Sequence, residues 1–127
     1  MRNALFLLGC FLISSCSLDS ENTCKGTTVV YASGVEGPKT IRVNEDTKYT
    51  VYFQAENSCG KFDTFIVASQ GDTVKVAPQV SYDGCVCTQA AVPLQADYTF
   101  KATQPGKYYL KFLNGTTSFI VDTVTVQ

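Results

Sequence analysis

Two cysteines separated by a single residue, Cys85-Val86-Cys87, constrain the fold of this chain more than any other feature of its sequence. Six cysteines are present, and two of them, Cys10 and Cys16, lie in or just after an apolar N-terminal run. The remaining four are Cys24, Cys59, Cys85 and Cys87. An even number of cysteines in a small exported domain is typical of a disulfide framework. We therefore expect two disulfides in the body of the chain.

The pairing of these four cysteines is restricted by geometry. We interpret the segment Ser81–Cys87 as extended, with Cys85 and Cys87 on the same side. A bridge between residues i and i+2 of a strand would lie near the upper limit of Cα reach and close a strained ring. Each of the two is therefore expected to pair with an upstream cysteine, one with Cys59 and the other with Cys24. The sequence leaves open which takes which partner.

A metal or redox role is the alternative interpretation of the Cys-x-Cys segment, because thiolates bind soft metals. The spacing is not Cys-x-x-Cys, and the chain contains no histidine to complete a ligand set. The sequence therefore predicts neither a metal site nor any other cofactor.

Alternating polar and apolar residues predict short β-strands along the whole body of the chain. The clearest strand runs from Lys48 to Glu56, where Tyr49, Val51, Phe53 and Ala55 share one face. Turn signals such as Asn114-Gly115 separate strands at about ten-residue intervals. No helical period follows the N-terminal run. We expect an all-β, antiparallel sandwich of about seven to nine strands.

Two local irregularities carry further expectations. Pro78 predicts an edge or an end of the strand that begins at Thr73, because proline cannot donate to a sheet ladder. Near the C-terminus, Phe119/Val121 and Val124/Val126 are out of phase by one residue, which predicts a bulge near Asp122-Thr123.

The N-terminus has the pattern of a secretory signal. Arg2 supplies a positive charge, and the apolar run from Ala4 to Ile13 is too short to span a bilayer. The sequence Ile13-Ser14-Ser15-Cys16 then resembles the lipobox of bacterial lipoproteins. Leu7-Leu8-Gly9-Cys10 is a weaker match, because only five apolar residues precede its cysteine.

The lipobox resemblance implies cleavage before Cys16 and lipidation of that residue. It divides the chain into a signal peptide (1–15), a lipidated cysteine with a polar tether (16–25) and a folded domain (26–127). The implied location is the bacterial cell envelope, where Cys16 anchors the protein to a membrane on its periplasmic face or at the cell surface.

The end of the chain resembles an immunoglobulin-like domain. Gly106-Lys107-Tyr108 is similar to the tyrosine corner, with Tyr108 as the corner residue. The Cys…Trp…Cys signature of true immunoglobulin domains is absent, because the chain has no tryptophan. Together with Asn57-Ser58-Cys59-Gly60 and the Cys-x-Cys segment, this ending resembles a group of small Bacteroidota lipoproteins. The resemblance implies an immunoglobulin-like β-sandwich and brings no known activity.

Composition narrows the function. The formal net charge is −1 and no basic run is present, so the electrostatic footprint of nucleic-acid binding is missing. Without histidine, no Ser-His-Asp or Cys-His catalytic arrangement can form, and we do not expect an enzyme.

Two threonines are candidate modification sites. Asp72-Thr73-Val74 and Asp122-Thr123-Val124 resemble the Asp-Ser/Thr-apolar motif of Bacteroidota O-glycosylation, which makes Thr73 and Thr123 candidates for O-glycosylation.

We expect a membrane-anchored, non-enzymatic module for adhesion, assembly or ligand presentation, with a protein or glycan partner that the sequence does not name. A protease-inhibitor-like or carbohydrate-binding sandwich is the alternative. The outward-facing Tyr31, Tyr52 and Tyr109 would favour a glycan if they formed one strip, but tyrosines also cover the second face of a strand.

Overall fold

A computed structural model describes residues 24–127 of the chain, and the predicted signal peptide, Cys16 and most of the tether lie outside the described residues. The described part is an all-β fold of nine strands in two sheets. The strands are β1 (Lys25–Val29), β2 (Gly34–Glu36), β3 (Thr40–Ile41), β4 (Thr47–Ala55), β5 (Gly60–Gln70), β6 (Thr73–Asp83), β7 (Val92–Phe100), β8 (Gly106–Leu113) and β9 (Phe119–Val126). The first strand begins one residue before the predicted start of the domain. Between residues 24 and 127 there is no helix of the length and hydrophobicity that a membrane span requires.

The larger sheet has six strands and is built around β6. One edge of β6 pairs with β5. The other edge is shared: β8 pairs with residues 73–76, and β1 pairs with residues 79–83. The sheet continues from β8 through β9 to β3, and the smaller sheet has the order β2-β4-β7. Most pairs are antiparallel, as predicted, but β6–β8 and β3–β9 are parallel.

The core lies between the two sheets. The predicted inner face of β4 is confirmed, because Tyr49, Val51, Phe53 and Ala55 are all at most 1% exposed. Opposite them lie the alternate apolar residues of β6, β8 and β9, including Val76, Phe112 and Val124. A chain of ring contacts with centroid distances of 4.8–6.1 Å links the two sheets through Phe53, Phe62, Phe65, Tyr98 and Phe112.

The expectation that Pro78 marks an edge or an end is wrong. Pro78 lies in the interior of β6 and is fully buried. Its carbonyl accepts a hydrogen bond from the Val30 amide at 2.9 Å, so its nitrogen faces the same edge of β6. That position falls between the end of the β8 pairing at Val76 and the start of the β1 pairing at Gln79. Because neither ladder reaches this position, the absence of an N–H group in Pro78 breaks no hydrogen bond between strands.

The predicted bulge near Asp122-Thr123 is also wrong. The register of β8 and β9 is continuous from Gly106↔Val126 to Leu113↔Phe119. The inward series is Ile120, Asp122, Val124 and Val126, and Val121 is 49% exposed. The buried Asp122 occupies a position in this series where an apolar residue is expected. The apolar pattern in the sequence is therefore interrupted although the strand itself is regular. The register shift of the large sheet lies instead in β5, between Phe62 and Thr64.

The tyrosine corner predicted at Tyr108 is present. The Tyr108 hydroxyl donates to the carbonyl of Gln104 at 2.9 Å, four residues upstream. Gly106, with a φ of 143°, makes the turn between them, in a backbone conformation that glycine adopts without a Cβ clash.

Candidate functional site

Two disulfides lie at one end of the sandwich and form what we call the cysteine hub, made of Cys24, Cys59, Cys85 and Cys87. Cys24 is bonded to Cys85 and Cys59 to Cys87, with Cα–Cα distances of 5.0 and 5.6 Å. The two expected disulfides are confirmed, and the structure supplies the pairing that the sequence left open. Each member of the Cys-x-Cys segment takes one upstream partner.

The Cys-x-Cys segment is not a strand, contrary to the sequence interpretation. β6 ends at Asp83, and Gly84–Ala91 form an irregular loop. Gly84 has a φ of 141°, and a Cβ there would lie 2.9 Å from the Cys59 sulfur. The chain can turn away from the sheet at this point because the residue is glycine.

Main-chain hydrogen bonds fix the hub to the sheets. The Gly84 amide donates to the Cys24 carbonyl at 2.8 Å, which holds the start of β1 against the end of β6. Ser58 and Thr88 hold the loops of Cys59 and Cys87 together: the Ser58 amide donates to the Thr88 carbonyl, and the Thr88 amide donates to the Ser58 Oγ. Val86 lies between the two hub cysteines of its loop and is 95% exposed.

All four hub sulfurs are bonded to one another in pairs, so the hub as it stands presents disulfides rather than thiolates. Across residues 24–127, no group of three or more His, Cys, Asp or Glu side chains is placed to hold a metal ion.

The two candidate glycosylation sites share one face of the large sheet. Thr73 pairs with Tyr109 across β6 and β8, and Tyr109 pairs with Thr123 across β8 and β9. All three therefore lie in one row, with the threonines about 10 Å apart on either side of the tyrosine. Thr123 is exposed, whereas Thr73 is half-buried and its hydroxyl lies 3.3 Å from the Asp72 carboxylate.

The outward tyrosines do not form a single strip. Tyr52 lies on the outer face of the three-stranded sheet, where its hydroxyl donates to Glu36 at 3.1 Å. Tyr109 lies on the outer face of the six-stranded sheet, on the opposite side of the molecule. Tyr31 lies in the connection between β1 and β2.

A shallow apolar groove crosses the outer face of the large sheet, a feature that sequence reasoning missed. Its floor and walls come from four strands, and we call it the outer groove, formed by Ile66, Ala68, Ala77, Leu113 and Phe119. Lys75 borders it, with its Nζ 5.5 Å from the centroid of the Phe119 ring. The only signal in the sequence is that these apolar residues occupy alternate positions on the solvent-exposed face of the sheet. In a sheet with one solvent-exposed face, those positions usually carry polar side chains.

Residues 49–126, more than half of the chain, match the model of the ORF11 beta-sandwich domain. The chain belongs to this family. No curated protein and no solved structure matches the chain.

The ORF11 beta-sandwich domain match spans strands β4 to β9. It contains three of the four hub cysteines, the outer groove and both candidate threonines. Cys24 and strands β1 to β3 precede it. The disulfide from Cys24 to Cys85 therefore joins the N-terminal part of the chain covalently to the matched region.

A buried carboxylate lies within the ORF11 beta-sandwich domain. Asp122 is 6% exposed, and its Oδ1 forms an ion pair with the Nζ of Lys39, while Oδ2 has no hydrogen-bond partner among the described residues. Burial, followed by the charge of Asp122, raises the pKa of Tyr49 to about 12. Because the Lys39 side chain is 64% exposed, the pair sits at the rim of the core rather than in a closed site.

Proposed function

We propose that this chain is a lipid-anchored binding module of a bacterial cell envelope, without a catalytic role. The observation that carries the proposal is the position of the two disulfides. Both lie at the end of the sandwich where the chain arrives from residues 1–23, and one of them begins at Cys24, the first described residue.

The disulfides support an exported protein, because disulfides form and persist in oxidising compartments and are rare in the cytosol. The lipobox-like sequence before Cys16 supports a lipid anchor over free secretion. A lipoprotein carries two or more acyl chains, and stable anchoring requires more than one.

The short tether supports an orientation with the cysteine hub towards the membrane. Eight residue steps separate Cys16 from Cys24, and a fully extended chain of that length spans at most about 28 Å. The loops at the opposite end, residues 42–46, 71–72 and 101–105, would then be directed away from the bilayer.

A protein partner fits the described surface better than a glycan. Stacking on a sugar would use tyrosines of one face, and Tyr52 and Tyr109 lie on opposite faces. The outer groove instead offers a small apolar surface bordered by a lysine, which suits an apolar side chain of a protein partner better than a sugar.

The anchor is tested by replacing each of the two leader cysteines. In a bacterial host, Cys16→Ser should abolish incorporation of an alkyne-labelled fatty acid and leave an uncleaved precursor, whereas the matched control Cys10→Ser should mature normally. Inhibition of the lipoprotein signal peptidase by globomycin should also leave an uncleaved precursor of the natural chain, but one that still carries the label, because the thiol is acylated before cleavage. Normal maturation and labelling of the Cys16→Ser variant would overturn the lipoprotein proposal.

A further inference from the structure

Strand β5 is an unprotected edge of the large sheet. It runs for 11 residues, and β6 is its one partner among the strands of residues 24–127. Among residues 24–127, no backbone hydrogen bond from another strand reaches its second edge. An edge of this kind presents a row of unpaired amides and carbonyls to another chain.

The blocking devices of β5, Lys61, Asp63 and a bulge, are confined to its first four residues, and the rest of the strand has none. Residues Thr64–Gln70 contain no charge and no proline, and the bulge of the strand lies before them, next to Asp63. The Asp63 carboxylate accepts a hydrogen bond from Gln79 of β6 at 2.7 Å, so it is engaged within the sheet. Natural edge strands usually carry lysine, proline or a bulge along their length, whereas the middle of this one is the apolar run Phe65-Ile66-Val67-Ala68.

Both faces of this edge expose apolar side chains. Ile66 is 45% exposed on the outer face, where it pairs with Ala77 and forms part of the outer groove. Val67 pairs with the buried Val76 and so points to the inner face, yet it is 44% exposed because none of the strands β1 to β9 pairs with β5 on that side. A strand added at this edge would cover both side chains at once.

We propose that β5 is a homodimer interface, at which it pairs antiparallel with β5 of a second copy of this chain. Paired residues of an antiparallel ladder lie on the same face of the sheet. In a symmetric pair of identical strands, one residue must therefore pair with its own copy, and the two-fold axis passes between these two residues. Centring the axis on Val67 pairs the uncharged run entirely with itself: Ile66 meets Ala68, and Thr64 meets Gln70.

This register is self-complementary in size and charge. Each larger residue of the run faces a smaller one, and the nearest acids, Asp63 and Asp72, fall opposite Gly71 and Phe62 rather than opposite each other. Like charges directly opposite would destabilise a strand pair. A contact of about seven residue pairs is smaller than a standard stable interface, so we expect a weak dimer.

The dimer does not depend on the lipid anchor. Its axis would run perpendicular to the large sheet and place the two cysteine hubs at opposite ends. A single anchored copy has its hub towards the membrane, whereas in a dimer with both copies anchored the strands would lie along the bilayer surface so that both tethers reach it. Loss of the anchor in Cys16→Ser would leave the pairing surface unchanged.

A symmetric disulfide tests the proposal in the full-length chain. Directly opposite residues have Cβ atoms about 5 Å apart, close enough for a bridge after a small adjustment. The variant Val67→Cys, exported in a bacterial host, should run at twice the chain mass on a non-reducing gel and return to one mass on reduction. The matched control Val121→Cys, a valine 49% exposed on β9, should remain a monomer.

Three results would overturn homodimerisation: a monomeric Val67→Cys with a thiol that reacts with maleimide, a disulfide to a different protein, or equal dimerisation of Val121→Cys.

A second measurement covers the case in which the new thiol disturbs the native disulfides. Sedimentation of the detergent-extracted natural chain should show a dimer that dissociates on dilution. Val67→Lys should abolish this dimer and Val121→Lys should retain it, because only the former places two lysines at the axis. A natural chain that is monomeric at every concentration would also overturn the proposal.

Discussion

At the scale of single residues, Tyr49 lies in the core and hydrogen-bonds to the main chain at the edge of the core. Its ring is fully buried, and its hydroxyl donates to the Pro38 carbonyl at 2.7 Å. A Cβ at Gly37 would lie 2.2 Å from this ring, so glycine is required where the β2–β3 connection crosses it. The pKa of Tyr49 is raised from 10.0 to about 12, first by burial and then by the charge of Asp122.

The raised pKa predicts a specific loss of stability at alkaline pH. Between pH 10 and about 12 the unfolded chain loses the Tyr49 proton while the folded chain keeps it. The contribution is fully present below pH 10, and we expect the free energy of unfolding to fall by about 1.4 kcal/mol per pH unit within the window.

The variant Tyr49→Phe isolates this effect. It should be less stable near neutral pH by about 1 kcal/mol, through the lost hydrogen bond to Pro38. Its stability should also decline less steeply than that of the natural chain in urea denaturation series from about pH 8 to 12. Tyr52 and Tyr98, whose pKa values are also raised, remain in both proteins. Parallel pH profiles would contradict the assignment to Tyr49.

At the scale of elements, β8 links the two halves of the large sheet, and its start is fixed by the tyrosine corner. Tyr108→Phe removes the hydroxyl that bonds to Gln104 while the ring contact with Phe100 stays. We expect a loss of about 1 kcal/mol in the free energy of unfolding.

The neighbouring tyrosine provides the control for this prediction. Tyr109 points to the outer face of the same strand, and Tyr109→Phe should change stability by less than about 0.5 kcal/mol. Chemical denaturation of the two variants side by side measures the difference. Equal losses would mean that the corner hydrogen bond does not contribute.

The strands show where sequence reasoning succeeds and where it fails. The alternation from Lys48 to Glu56 predicts β4 because every inward residue is apolar. In β9 the same reasoning fails at Asp122, since a carboxylate paired with Lys39 from a distant loop cannot be inferred from local pattern. In β6 it fails at Pro78, because the sequence does not show that two strands share one edge and leave a gap there.

At the scale of the whole molecule, the cysteine hub closes the sandwich at one end. The number of disulfides follows from the cysteine count, but their pairing depends on the relative positions of β1, β5 and the loop after β6, which only the assembled fold supplies. Lipidation of Cys16 and glycosylation of Thr73 and Thr123 stay predictions, because neither follows from the geometry of residues 24–127.

Removing either disulfide should destabilise the whole domain. Bridging residues 61 and 28 positions apart corresponds to a loop-closure contribution of about 4.3 kcal/mol for Cys24–Cys85 and about 3.6 kcal/mol for Cys59–Cys87. We expect the double variants Cys24→Ala/Cys85→Ala and Cys59→Ala/Cys87→Ala each to lose several kcal/mol, the former slightly more.

Thermal and denaturant unfolding of the two double variants, compared with the natural chain under oxidising conditions, checks this expectation. Each variant serves as the control for the other, because both remove two sulfurs from the same end of the fold. A loss below about 1 kcal/mol in either would show that its bridge does not constrain the unfolded chain.

The link between Cys24 and Cys85 also determines how the domain responds to a mechanical load on its N-terminus. Without this bond, a pull would open the β1–β6 ladder one hydrogen bond at a time, beginning at Lys25 and Asp83. With the disulfide in place, the force passes from Cys24 to Cys85 and does not act on β1. It then acts just beyond the end of β6, which is paired with other strands on both of its edges. Unfolding under tension then requires the hydrogen bonds of several strand pairs to break at the same time. The bridge therefore replaces sequential opening of one ladder by a shear load shared between strands.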